Sequence, residues 1–174
     1  MIGGSFVWKN ISGWCAVEYT SEGIKSLRFG RRSEEDASAG LAKSHEGKRP
    51  AFVDEAVRQL DEYFIGSEVS FKIPVDMNGA TDFRKKVWKE TAKVGYGKTI
   101  TYGELARRIG SGGAARAVGS ALGANNVPLI IPCHRILRSG GEMGGFALGI
   151  SVKEALLDLE RGKKVDNKRF GVRE

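Results

Sequence analysis

The chain has 174 residues, enough for one ordinary domain or two small ones that share an interface. Hydrophobic residues make up 41% and charged residues 28%, as in a globular protein. No apolar run reaches the roughly 18 residues of a membrane span, and residues 1–5 show no basic stretch leading into an apolar one, so a cytoplasmic protein without a membrane partner is expected. The net charge of +7 is confined to the second half: residues 1–81 carry 10 Lys and Arg against 12 Asp and Glu, residues 82–174 carry 18 against 9. Such a surface suits a polyanion, whose counterions it would release, although charge alone serves solubility equally well.

In chain order, residues 14–19 and 24–29 have strand composition and flank a Ser21-Glu22-Gly23 turn, which predicts a hairpin. Residues 30–50 are charged and poor in large apolar side chains and are expected to be a loop or weak helix. Phe52, Ala56, Val57, Leu60 and Phe64 recur at helical spacing and stop at Gly66, while Val69, Phe71 and Ile73 alternate with polar residues before Pro74, predicting a third strand. Residues 75–81, with Asn78-Gly79, are expected to link this unit to the next, giving domains at 1–77 and 82–174.

Beyond the linker the period turns helical. Phe83, Val87, Trp88, Thr91 and Val94 share a face that ends at Gly95 and Gly97. Thr101-Tyr102-Gly103-Glu104 has the spacing of a capping box and opens a short helix ending at Gly110. A glycine-rich turn then leads to a second helix over residues 114–124, which completes a helix-turn-helix outline. Ser151-Val152-Lys153-Glu154 predicts another capped helix, with Val152, Leu156 and Leu159 inward, and the residues from 161 onward are expected to fray. The fold class expected is α+β: a small N-terminal antiparallel sheet with a helix, then a helical domain.

The chemistry concentrates at residues 125–136. Pro128 and Pro132 bar a helix interior, and Leu129, Ile130 and Ile131 are apolar on both sides, so an extended rod through the core is expected to deliver Cys133 to its edge. Lone cysteines are mostly inert packing residues, but this one is followed at once by His134 and Arg135. Because a thiol attacks only as thiolate, it needs a proton acceptor, and His134 is the only histidine near it in sequence. Neighbours on an extended segment face opposite sides, so a bridging water is expected between them. Cys15, Cys133, His45 and His134 do not compose a zinc site of the usual kind, and no metal or cofactor is expected.

Pro132-Cys133-His134-Arg135, after Asn125 and before Gly144-Gly145, resembles the active-site signature of the O6-alkylguanine-DNA alkyltransferases, and the likeness extends over about residues 83–162. The resemblance implies direct, single-turnover repair: an alkyl group moves from O6-alkylguanine in duplex DNA, with O4-alkylthymine left open, to Cys133 of a monomer bound in the minor groove. It assigns His134, Asn125 and Glu160 to thiol activation. It places Tyr102, Arg116, Ala115, Ala117, Gly119 and Arg135 at DNA, with Arg116 filling the stack vacated by the flipped base. It lines the substrate pocket with Tyr102, Ile136, Phe146, Ala147, Leu148 and Lys153. The physical logic is independent of the family, since O6 cannot be reached inside a duplex and the base must leave the stack. The sequence departs from the family at Asn126, where many members have proline, at Phe146, where some have tyrosine, and at Ala147-Leu148. The alternatives are a lesion-binding protein without transfer, which would lack the cysteine, and a helix-turn-helix regulator.

Overall fold

The computed structural model describes residues 3–42 and 49–171. Three antiparallel strands, β1 (Gly4–Asn10), β2 (Gly13–Thr20) and β3 (Gly23–Arg31), form a sheet in that order, with Trp8 opposite Cys15 and Val17 opposite Leu27. A short helix α1 (Glu34–Ser38) starts at Ser33, whose hydroxyl accepts from Asp36 N. The longer α2 (Ala51–Phe64) buries Val53, Ala56, Leu60, Tyr63 and Phe64 on one side. That stripe packs on the sheet through Phe29 and Phe64, with ring centroids 5.3 Å apart, and each large side chain so buried contributes about 1.5–3 kcal/mol.

The second unit begins with α3 (Asp82–Thr91), capped by the Thr81 hydroxyl. Trp88 lies on its inner face and donates Nε1–H to the Ala121 carbonyl at 2.8 Å, fixing α3 against the helix-turn-helix. β4 (Ile100–Thr101) runs directly into α4 (Tyr102–Arg108), whose N-cap Thr101 accepts from Glu104 N at 3.1 Å. After the turn comes α5 (Ala115–Gly123), and β5 (Ile136–Leu137) pairs in parallel with β4. The last helix, α6 (Ile150–Glu160), is buried along most of its length.

The structure departs from sequence expectation in several places. β1 is not predicted by the sequence pattern, and residues 69–73 form no strand; among the described residues the pairing nearby is a bridge of Val75 to Ile24. Val69 and Ile73 are buried all the same, so alternation there reports sidedness rather than strand pairing. α6 begins one residue before the expected cap: Gly149, at φ +96°, is the N-cap, and Ser151 lies inside the first turn. The segment before Cys133 is not a rod. Leu129 sits at φ +71°, Ile131 N bonds back to Val127 O at 3.0 Å, and Cys133–Arg135 is a turn of 3-10 helix. Nor is the described part of the C-terminus frayed, because Phe170 is fully buried, 5.2 Å from the Phe64 ring. His45 and part of the 30–50 loop fall outside the described residues.

Gly30 of β3 lies against the backbone of the turn at residues 167–170. It sits at φ +67°, and a Cβ there would lie 2.0 Å from the Phe170 carbonyl oxygen. Gly30→Ala combines left-handed strain with a backbone clash, and a loss of about 2–3 kcal/mol is expected by denaturant unfolding. A loss below about 0.5 kcal/mol would mean that the C-terminal turn does not dock on β3.

Candidate active site

Residues 125–132 form a loop buckled by a single side chain. Asn125 Oδ1 accepts from Val127 N at 2.9 Å, and Nδ2 donates to Ile131 O at 2.9 Å and to Cys133 Sγ at 3.2 Å. The amide thus closes the loop that both prolines and Leu129 shape, and it donates a side-chain hydrogen bond to the sulfur. From outside, Leu27 N of β3 donates to Asn126 O at 2.8 Å, so the N-terminal sheet grips the same loop.

Behind the thiol lies a buried polar cluster. Glu160, at the C-terminal end of α6, receives His134 Nε2 at 2.6 Å, the Tyr63 hydroxyl at 2.7 Å and Arg135 Nη2 at 2.9 Å on Oε1, and Gly97 N at 3.0 Å on Oε2. Arg135 Nε reaches both oxygens at 3.0 and 3.1 Å, and its Nη1 donates to Val94 O at 2.6 Å. Burial works to raise the Glu160 pKa, but the bonds and charges of His134 and Arg135 prevail and bring it down to about 2. It is a carboxylate and only accepts. Nε2 of His134 must therefore carry the proton, and since burial pushes the imidazole below its ordinary pKa despite Glu160, the ring is neutral and Nδ1 is its basic atom. Nδ1 is buried and bonded to no protein group.

Cys133 is partly exposed, and burial raises its pKa against the opposing effects of the Asn125 bond and the Lys153 charge. It rests as a thiol. Lys153, itself brought down to about 8 chiefly by burial, donates to the carbonyls of Ile136, at 2.7 Å, and of Met143.

Cys133 opens onto a cleft of about 1360 Å³ walled by the helix-turn-helix, the 138–148 loop and the edge of the N-terminal sheet. Tyr102, Ala115, Arg116 and Gly119 line it from α4 and α5, and Phe146, Ala147 and Leu148 from the loop. The Tyr102 ring stacks between Gly119 and Gly144: a Cβ at these positions would lie 3.8 and 3.1 Å from it. Arg116 and Ala117 are exposed on α5.

Three expected site residues are placed differently. Arg135, expected at DNA, is 4% exposed and committed to Glu160, because a guanidinium there neutralises the buried carboxylate. Ile136 and Lys153, expected in the pocket, are fully buried behind it, where the ammonium ties β5 to the 138–148 loop. Sequence reasoning missed Tyr63, which reads as one more apolar position of α2, and Gly97, which contributes only its backbone. It also missed the N-terminal wall of the cleft, Ser26, Leu27, Arg28 and Leu41 among its residues, which carries no motif.

A helix-turn-helix sharing one cleft with a cysteine, backed by a buried histidine and carboxylate, defines a DNA-binding protein built around a thiol nucleophile. Two family models match, the 6-O-methylguanine DNA methyltransferase ribonuclease-like domain over residues 11–77 and the DNA binding domain of the same name over residues 82–162. The methylated-DNA–protein-cysteine methyltransferase of Methanosarcina acetivorans is 45% identical over 141 residues, 80% of this chain and 86% of that protein. The protein of that name from Mycobacterium bovis is 43% identical over 122 residues, 70% of this chain and 73% of its own. The crystal structure of Mycobacterium tuberculosis OGT in complex with DNA superposes with a TM-score of 0.78 at 34% identity, covering 96% of this chain and 99% of that one. The chain belongs to the 6-O-methylguanine DNA methyltransferase family.

The cluster also sets how stability depends on pH. Glu160 falls from 4.5 to about 2 on folding, so its contribution is complete above about 4.5 and is lost as pH falls toward 2. His134, held neutral, has the same sign, its loss setting in below 6.5. Unfolding free energy should therefore decline from pH 6.5 downward. Glu160→Gln should lower it by about 3–5 kcal/mol at neutral pH, by stranding the Arg135 charge, and should flatten the 4.5-to-2 segment. Denaturant titrations across that range decide it; parallel curves for the two proteins would show that Glu160 is not ionised in the fold.

Proposed function

We propose that this chain is a methylated-DNA–protein-cysteine methyltransferase that repairs DNA by moving the alkyl group of O6-alkylguanine onto Cys133 in a single turnover. The observation that carries the reading is the position of Cys133 in the wall of the cleft shared with the helix-turn-helix, with Asn125 on its sulfur and the His134–Glu160 pair behind it. The thiol proton passes to His134 Nδ1 through a water molecule, and Glu160 stabilises the imidazolium that forms. Sulfur attacks the alkyl carbon, the S–C bond forms as the C–O6 bond breaks, the electron pair returns to the guanine, and the proton held by His134 neutralises it. The thioether product has no route back to thiol. No metal or cofactor enters this account.

The base reaches the cleft by leaving the stack. Exposed Ala117 and the small residues Ala115 and Gly119 let α5 lie close to the backbone in the minor groove, and Arg116 fills the gap. Tyr102, held between α5 and the 138–148 loop, crowds the rotated phosphate. Phe146, Ala147 and Leu148 cover the base, and Phe146 offers no hydroxyl to O6. The protein acts as a monomer of two domains, 1–77 and 82–174, in a reducing compartment where Cys133 stays free.

Mass spectrometry after mixing with an O6-methylguanine duplex should show one methyl group per protein, on Cys133. Cys133→Ala should bind the same duplex and take up none; more than one group per protein, or methylation elsewhere, would sink the mechanism. Arg116→Ala should slow transfer from duplex at least about tenfold more than transfer from the free modified base, since about 1.4 kcal/mol is the least a gap-filling side chain should hold. Equal losses on both substrates would remove Arg116 from base extrusion.

A further inference from the structure

The mechanism above uses residues of the second unit alone, yet its carboxylate is also bound by a residue of the first. Tyr63 lies on the buried face of α2, fully enclosed, and donates its hydroxyl to Glu160 Oε1 at 2.7 Å. The same hydroxyl oxygen is 3.4 Å from His134 Nε2, so it stands beside the bond between the histidine and the carboxylate. Its ring is wedged among Phe64, Phe71 and Tyr96, with centroids 5.5, 5.9 and 5.9 Å away, which leaves the hydroxyl little freedom to point elsewhere. Packing alone does not require this hydroxyl: a phenylalanine would fill the same space, and a buried hydroxyl needs a partner to be tolerated.

We propose that Tyr63 is a positioning residue of the thiol-activating relay: by donating to the Glu160 oxygen that holds His134, it makes the N-terminal unit a working part of alkyl transfer. This rests on the function proposed above. Oε1 receives His134, Tyr63 and Arg135, and Oε2 receives Gly97 and Arg135, so the carboxylate is pinned on both oxygens by four residues. The Tyr63 bond comes from a different element from all the others, and it fixes the carboxylate against rotation toward Arg135. It also draws electron density from Oε1, which tempers how strongly Glu160 raises the basicity of His134. The phenol remains a donor, because burial and then the Glu160 charge both oppose its ionisation.

The groups that face His134 are Glu160 and Lys153 on α6, Arg135 on its own turn and Tyr63 on α2; Tyr96 packs against the Tyr63 ring and has no direct bond to His134. Tyr63→Phe removes one of them while keeping the ring. The full-length variant should bind the methylated duplex as wild type does, since Tyr63 is not in the cleft wall. Its single-turnover rate at saturating DNA and neutral pH should fall by roughly tenfold or more, the worth of one hydrogen bond to a charged group in the relay. The acid limb of its pH–rate profile should move to higher pH, because the undamped carboxylate makes His134 more basic. Tyr96→Phe is the control: that hydroxyl bonds the Gly66 and Leu159 carbonyls, and its loss should leave the pH profile in place. Should Tyr63→Phe fold poorly, 3-fluorotyrosine incorporated at position 63 keeps the shape and strengthens the donor, and it should move the acid limb to lower pH. If wild type never methylates Cys133, the proposed function fails. If wild type reacts and Tyr63→Phe or the fluorinated protein shows an unmoved profile, Tyr63 is packing only and the inference is overturned.

Discussion

A carboxylate buried to 6% exposure is the constraint on which this structure depends. An ion taken out of water costs several kcal/mol unless partners replace its hydration, so Glu160 must be met by donors from wherever the chain can supply them. Those donors come from α2, the loop after α3 and the turn that carries Cys133. Satisfying one charge thereby brings four stretches of chain together at one point. The reactive turn cannot shift without unpairing Glu160, and α2 cannot leave without taking one of its donors.

The same requirement explains why Arg135 is turned inward. The Pro-Cys-His-Arg segment and the basic second half suggest an arginine for DNA. Yet a lone histidine, held neutral by burial, does not balance Glu160, and the guanidinium does so with a two-pronged geometry that a lysine could not copy. The arginines that line the cleft are instead Arg28, Arg107, Arg116 and Arg138. Arg135, two residues beyond Cys133, is thus structural, and Asn125, from the loop after α5, is the side chain on the sulfur.

Much of the architecture was legible because it rests on local rules. The hairpin announced itself by composition around Gly23, α2 by its apolar stripe, and the helix-turn-helix by the Thr101 cap and glycine-rich turn. Cys133, His134, Asn125 and Glu160 stood out through the resemblance, and the structure groups them. What escaped depends on tertiary context. No local signal tells that Leu129 adopts a left-handed φ, a cost of roughly 1–2 kcal/mol carried by a side chain that is 1% exposed and closely packed. Tyr63 is invisible for the opposite reason: an aromatic on a core stripe looks like packing, and only the fold reveals where its hydroxyl ends. Residues 69–73 show the limit of period-2 reasoning, since alternation fixes which side is buried but not whether a neighbouring strand accepts the ladder.

The resting state of the thiol follows from these same terms. Burial outweighs the Asn125 bond and the Lys153 charge, so Cys133 holds its proton when no substrate is bound. In the proposed reaction that proton leaves only when His134 can accept it, and the transfer places a positive imidazolium against Glu160, an interaction strongest when the cleft is dry. In that reaction a base filling the cleft keeps bulk water from the wall that holds the sulfur, and Asn125, Lys153 and Glu160 are the side chains placed to stabilise the ion pair. The thiolate is thus stabilised by fixed dipoles and charges already in place. Tuning the sulfur by a permanently low pKa would have left an exposed thiolate open to oxidation and metals between encounters with DNA. A neutral thiol backed by the His134–Glu160 pair avoids that exposure.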